Sequence, residues 1–143
     1  TDCNLGNGTN LKYSSNYAKL NAGNITNLEG DGDYLNIKVN QISNALQINT
    51  EYSKIVVAEI DEKAKAISIN AEYTAIELAY HPNFAFNFDI NLRYANLKYN
   101  GDFEFNSKQE KSFSKIYQGY CKKSGVNKVS IQSDYGNVSL MQR

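Results

Sequence analysis

Short apolar alternations recur along the chain, and each of them runs up to a tyrosine. Six segments start at Leu11, Leu28, Leu46, Ile67, Phe88 and Val129, and each carries a tyrosine six residues later: Tyr17, Tyr34, Tyr52, Tyr73, Tyr94 and Tyr135. Successive tyrosines are 17, 18, 21, 21 and 41 residues apart. The last interval spans two periods and predicts one degenerate or interrupted unit between residues 100 and 128. Three residues after every tyrosine stands an aliphatic side chain: Leu20, Ile37, Ile55, Ile76, Leu97 or Val138. With 41% hydrophobic residues in the chain, filling both columns in all six units by chance is roughly a 2 in 100,000 event, so the repeat is real.

Counting each unit's first apolar residue as offset zero, offsets one, three and five are nearly all polar. Offset two reads Tyr13, Gly30, Ile48, Ile69, Ile90 and Ile131. Period-two alternation of this kind predicts a strand with one face buried. Offset four (Ser15, Gly32, Thr50, Ala71, Leu92, Ser133) is mostly small. Tyrosine at offset six shares the inward parity, so the six tyrosines are expected to point into the core as a structural ladder, with room left by the small residues beside them. The next inward positions, offsets nine and eleven, lie an odd step further on. The phase therefore slips and predicts a corner at offsets seven and eight, as at Ser53 and Lys54, before a second short strand carrying Ile55 and Val57. Three units continue to a further inward isoleucine: Ile25, Ile42 and Ile60.

A strand, corner, strand and return in about 20 residues cannot bury its own apolar face, but stacked copies can. The pattern predicts an all-β, single-stranded β-solenoid of six or seven parallel coils, formed by residues 1–143 as one domain. Residues 1–10 are expected to be an N-terminal arm or cap. Residues 100–128 are expected to be an irregular coil with a polar loop insertion around "NSKQEK". Like side chains should stack in ladders from coil to coil, with Asn49, Asn70 and Asn91 as an outward amide ladder. A β-sandwich or an up-and-down barrel would share the strand spacing, but the fixed column identities favour parallel stacking.

Composition narrows the chemistry. Fifteen basic and fifteen acidic residues leave no net charge, so no overall field draws the chain to nucleic acid. Cys3 and Cys121 lack zinc-site spacing and are too few for a disulfide framework. No catalytic residue, metal ligand or cofactor site is expected. His81 is the only histidine, in "YHPNF" beside the only proline, and no nucleophile motif accompanies it. Glu51 and Glu72 would stack about 5 Å apart, the separation found in retaining glycosidases, yet any solenoid that repeats an acid makes such pairs. "EGDGDYLN" at 29–36 echoes a calcium-binding β-roll but occurs once, where such sites need tandem copies. Six lysines between residues 100 and 128 (Lys108, Lys111, Lys115, Lys122, Lys123, Lys128) read as a solvated face without an anion-binding motif. Glycosylation sequons stand at Asn7, Asn24 and Asn137.

The units "INTEYSKIVVAEI" and "INAEYTAIELAY" and the ending "VSIQSDYGNVSLMQR" resemble a group of secreted Bacteroidetes proteins classed by inference as adhesins, including head-domain proteins described as auto-transporter-like. The resemblance covers residues 11 to 99 and 129 to 140. It implies a single-stranded, right-handed parallel β-helix exported from the cytoplasm, with any signal segment outside this sequence, and it carries over no catalytic residues. The expected function is a non-enzymatic, extracytoplasmic, adhesin-like scaffold of the cell envelope that binds surface glycan or protein. The alternatives are a carbohydrate-active β-helix lyase or hydrolase, and an envelope sensing or assembly domain that self-associates through open solenoid ends.

Overall fold

A computed structural model describes residues 2–14, 16–101, 103–123 and 127–142. Among the described residues there are thirteen strands and no helix. In chain order they are β1 (Asp2–Leu5), β2 (Gly8–Ser14), β3 (Ala18–Asp33), β4 (Leu35–Glu51), β5 (Lys54–Ile60), β6 (Ala66–Glu72), β7 (Ala75–Tyr80), β8 (Phe86–Arg93), β9 (Leu97–Tyr99), β10 (Phe103–Glu110), β11 (Ser114–Cys121), β12 (Asn127–Asp134) and β13 (Val138–Gln142). All belong to one curled, mostly parallel sheet.

Each repeat contributes a segment before its tyrosine and a segment after it, and the two sets form two parallel ladders. Before the corner, Leu28 pairs with Leu46, Leu46 with Ile67, Ile67 with Val129 and Val129 with Phe88. After it, Ile37 pairs with Ile55, Ile55 with Ile76, Ile76 with Val138 and Val138 with Leu97. The column residues that periodicity marks as apolar are the core: Ile37, Ile42, Ile48, Ile55, Ile60 and Ile90 are wholly buried. β-Branched side chains fit this pleated, stacked interior, where each methyl meets its counterpart one strand away. Offset four is inward as expected at Thr50, Ala71, Leu92 and Ser133, while Ser15 lies outside the described residues.

The structure departs from the sequence reading in four places. The tyrosines do not point inward: Tyr17, Tyr34, Tyr52, Tyr73, Tyr94 and Tyr135 are exposed, and all six have φ between 50 and 58°. A left-handed residue reverses the chain within one position, so the phase slips at the tyrosine itself and not after it. The inward corner position is the next residue, as at Leu35 and Thr74.

The second departure is order. The last repeat does not follow a hidden unit at 100–128. Its strands return to lie between the fourth and fifth repeats, β12 between β6 and β8, and β13 between β7 and β9. Residues 103–121 instead form an antiparallel hairpin, β10 with β11, that pairs antiparallel to β8. The sequence "NSKQEK", expected as a loop, lies mostly in β10, with a register irregularity between Phe105 and Ser107.

The third departure concerns residues 1–10, most of which are strand: β1 and β2 both pair in parallel with β3. Above Gly30 lies the ring of Tyr13. A Cβ on Gly30 would stand 2.0 Å from that ring, so glycine is what admits it. The Tyr13 hydroxyl is buried without a partner, and burial, then Asp31, raises its pKa. The fourth departure is the amide ladder. Gln132 stands between Asn70 and Asn91, and side-chain amide bonds instead link Asn27 to Asn10, Asn44 to Asn27 and Asn40 to Asn24, each at 2.7 Å.

Candidate functional site

The six tyrosine corners build one continuous surface feature. At each, the tyrosine N–H donates to the carbonyl of the offset-five residue in the neighbouring unit: Tyr17 to Asp33, Tyr34 to Glu51, Tyr52 to Glu72, Tyr73 to Asp134 and Tyr135 to Arg93. Tyr94, at the end of the series, donates to Phe113. These bonds place the corners directly above one another, and the rings follow. Tyr17, Tyr34, Tyr52, Tyr73, Tyr135 and Tyr94 stack in that order, with centroids 4.7 to 5.1 Å apart and planes within 8° of parallel. Phe113 adds a seventh ring at 5.7 Å from Tyr94.

This arrangement is costly at each rung. A bulky residue in the left-handed region is an outlier, where Gly or Asn would sit with less strain. Such strain amounts to about 1 to 3 kcal/mol per residue, and an aromatic stacking contact returns about 0.5 to 1.5 kcal/mol. Stacking therefore offsets much of the strain without turning the ridge into a clear source of stability. The tyrosine hydroxyls and ring edges face solvent, because the ring faces are covered by one another.

On one side of the ridge runs a column of carboxylates, in spatial order Asp33, Glu51, Glu72 and Asp134, ending at Arg93. Glu72 raises the pKa of Glu51, with desolvation and then Asp33 adding to it. Asp134 has one buried, unpartnered carboxylate oxygen and lies 3.9 Å from Arg93 through the other. Between this column and Asp31, Asn49 and Asn70 lies an open trough of about 270 Å³, floored by Thr50 and Ala71. On the other side of the ridge the exposed column is Lys19, Asn36, Lys54, Ala75, Asn137 and Asn96. Asn137 accepts from the Asn96 N–H at 3.0 Å, tying the last repeat to the fifth.

The other sequence candidates fall elsewhere. Glu51 and Glu72 are directly paired across β4 and β6, but in an exposed trough among further acids and amides. His81 belongs to the turn after β7, where its Nδ1 accepts the Asn83 N–H at 3.0 Å and its carbonyl the Phe84 N–H. It is a turn-forming residue remote from the trough in the chain's path. Cys121 is buried at the end of β11, a strand of the hairpin, with its Sγ 3.8 Å from the Tyr80 hydroxyl, whereas Cys3 lies in β1 at the opposite end of the sheet. The sequon asparagines Asn7, Asn24 and Asn137 are exposed. Among the described residues no group of three or more His, Cys, Asp or Glu is placed to hold a metal ion.

Parity alone conceals the outward ridge, and one signal in the sequence could have found it. Each tyrosine is followed by a residue that continues the inward phase, Ala18, Leu35, Ser53, Thr74, Ala95 and Gly136, which puts the slip at the tyrosine. Phe113 has no such signal, since it joins the stack from an antiparallel hairpin. No protein family, curated protein or solved structure significantly matches this chain.

Proposed function

We propose that the repeats are stacked coils of a right-handed β-solenoid, six in number, with the last coil inserted between the fourth and fifth and the hairpin as a terminal cap, and that the domain is an extracytoplasmic, adhesin-like scaffold of the cell envelope. It works without turnover, presenting an extended lateral face to surface glycan or protein. The resemblance to secreted Bacteroidetes adhesins points the same way. The observation that carries the reading is the unbroken row of exposed, strained tyrosines along one edge of a rigid sheet. Stacked repeats hold such a surface flat and periodic over many ångströms, as extended binding surfaces of repeat proteins require.

The experiment is adhesion of protein-coated beads to arrayed envelope glycans and proteins, with the eluted material analysed for cleavage. Saturable capture without product release is expected. Release of new reducing ends or unsaturated sugars would replace the scaffold by a carbohydrate-active enzyme, for which the Glu51 and Glu72 pair is the candidate. Concentration-dependent lengthening in solution, without capture, would favour an assembly domain that pairs through its sheet edges.

A further inference from the structure

The ridge restricts what can bind it. An aromatic ring carries its negative potential on its faces and its positive potential at its edge. In this stack the faces of the inner rings are covered by neighbours at 4.7 to 5.1 Å, so a sugar or a cation has no ring face to lie on between Tyr34 and Tyr135. The surface on offer is a row of edges and phenol hydroxyls. Edges of positive potential do not attract cations, and a polycation drawn to the carboxylates on one flank would meet Lys19 and Lys54 on the other. The carboxylate column of Asp33, Glu51, Glu72 and Asp134 alongside repels polyanions. What remains is an uncharged ligand that binds by donating and accepting hydrogen bonds.

The spacing restricts it further. Rings stacked in near-parallel planes carry their hydroxyls at the same step of about 4.8 Å, the spacing of adjacent strands. An O–H···O bond spans about 2.7 to 2.8 Å, so neighbouring phenols are too far apart to bond directly, but a hydroxyl placed between two of them can bond to both. Only a ligand with its own repeat of similar length can do this at one rung after another. Extended chains of β-linked pyranose sugars have that repeat and that chemistry. The other flank carries the exposed amides of Asn36, Asn96 and Asn137 together with Lys19 and Lys54, all able to donate to sugar oxygens, and carboxylates on the near flank accept from hydroxyl groups.

We infer that the tyrosine ridge is a track for an extended, uncharged β-linked polysaccharide, held by its hydroxyl groups along the row of phenols. This rests on the binding-module reading above and assigns it a site and a ligand class. The occupant is a polymer and not a second copy of the chain, because a second ridge would present the same row of ring edges and hydroxyls, with no uncovered ring face between Tyr34 and Tyr135 for it to pack against.

The test is titration calorimetry of the whole chain with neutral β-(1→4)-linked hexaoses, cellohexaose, mannohexaose and chitohexaose, against the acidic hexagalacturonate and the shorter neutral tetraoses. The variant is Tyr52→Phe, Tyr73→Phe, Tyr135→Phe combined, which keeps the rings and removes three central hydroxyls. At least one neutral hexaose should bind, more tightly than its tetraose and than hexagalacturonate. The triple variant should melt as the parent does and bind about tenfold more weakly or worse, the effect of three lost hydrogen bonds. Equal hexaose binding by parent and variant would overturn the ridge as the site and leave a glycan-binding module with another face. Preference for hexagalacturonate would overturn the ligand class. Capture of proteins on beads with no hexaose bound would overturn the inference and leave the scaffold reading standing, whereas failure to bind anything would remove both. A reversible dimer in sedimentation that the triple variant loses would assign the ridge to a second copy instead.

Discussion

The two ends of this molecule solve the same burial problem with different side chains. From Leu20 to Leu78 the interior is aliphatic, and isoleucine, leucine and valine stack on their own kind in parallel register. From Tyr80 to Cys121 aromatic rings dominate, with Ile90 and Leu92 continuing the aliphatic columns: Tyr80, Phe84, Phe86, Phe88, Phe103, Phe105 and Tyr117 meet at 4.8 to 6.5 Å, in stacked, tilted and edge-on contacts. Identical columns propagate, because each unit offers the next the surface it needs. Rings of varied orientation do not. They fill the space at the end of the stack, and with the antiparallel hairpin they close it. Polar groups complete the closure: the buried Tyr80 hydroxyl donates to the Asn100 carbonyl at 2.7 Å, and the Tyr117 hydroxyl to Glu110 at 2.8 Å. Burial and that bond push Tyr117 up to about 12. Terminal units that differ from the repeats they cap are the rule in repeat architectures.

Between the two regions lies the last repeat, and it is the joint. Strand β12 makes ladders with both β6 and β8, and β13 with both β7 and β9, so the parallel pairing of the aliphatic part to the aromatic part passes through residues 127–142. Deleting them should therefore break the molecule more completely than any point change. The truncated chain would expose unpaired edges on β6, β7, β8 and β9, and such edges aggregate. We expect no cooperative melting transition by circular dichroism. A sharp transition retained by the truncated chain would show that the two regions pack without their joint.

Next in size is Ile55→Asp, inside the aliphatic columns. Ile55 is 0% exposed, and the change forfeits about 1.5 to 3 kcal/mol of burial while placing a carboxylate in an apolar interior. Against a total stability of about 5 to 15 kcal/mol for a typical domain, this should unfold the chain at room temperature. Phe105→Asp, at the half-buried aromatic end, should cost less because the charge can reach water. Equal melting temperatures for the two variants would erase the distinction between a sealed interior and a closing cap.

Two glycines sharpen the comparison further. A Cβ on Gly136 would stand 2.0 Å from the Thr74 carbonyl oxygen, and one on Gly30 would stand 2.0 Å from the Tyr13 ring. The first obstacle is backbone in the joint, and the second is a side chain on a terminal strand that can swing aside. Gly136→Ala should cost about 1 to 3 kcal/mol, the usual range for overpacking, and Gly30→Ala clearly less. Denaturant titrations would read both, and the reverse ranking would mean that the N-terminal end is the more tightly held.

Much of this was legible in the sequence because a repeat writes its register many times over. The columns through Ile48 and Ile55 identified both ladders, since six copies outweigh any single ambiguous residue. The direction of the tyrosines was not, because parity cannot tell an inward residue from a left-handed corner until the residue after it is placed. The return of Val129 to Leu140 between earlier repeats was also hidden. Any unit with the right columns can stack on any other, so sequence order does not fix spatial order here. The hairpin is hidden because Phe103 and Phe105 alternate as any strand does, while antiparallel pairing leaves no column to align. The ridge as a surface depends on all three points, which is why its outward face emerged only with the fold.

The smallest expected effect lies in the carboxylate column beside the ridge, and it has a definite sign. Glu51 has its pKa raised in the folded chain, first by Glu72, then by desolvation, then by Asp33. A carboxyl that binds its proton more tightly when folded makes the folded state take up protons, so stability falls as pH rises through the interval between the unfolded and folded values. The penalty is fully present at neutral pH and is relieved on acidification through that interval. Glu51→Gln should remove it, giving a small upward shift of the melting temperature at neutral pH and a flatter pH dependence below it. Because Glu51 is exposed to solvent, salt should shrink the difference between parent and variant. Melting curves at two pH values and two salt concentrations decide it: a variant less stable than the parent at neutral pH would mean that the Glu51 carboxylate makes a favourable contact outweighing its repulsion from Glu72. No corresponding change is expected at the aromatic end, where the Tyr117 hydroxyl and Glu110 attract each other through a hydrogen bond.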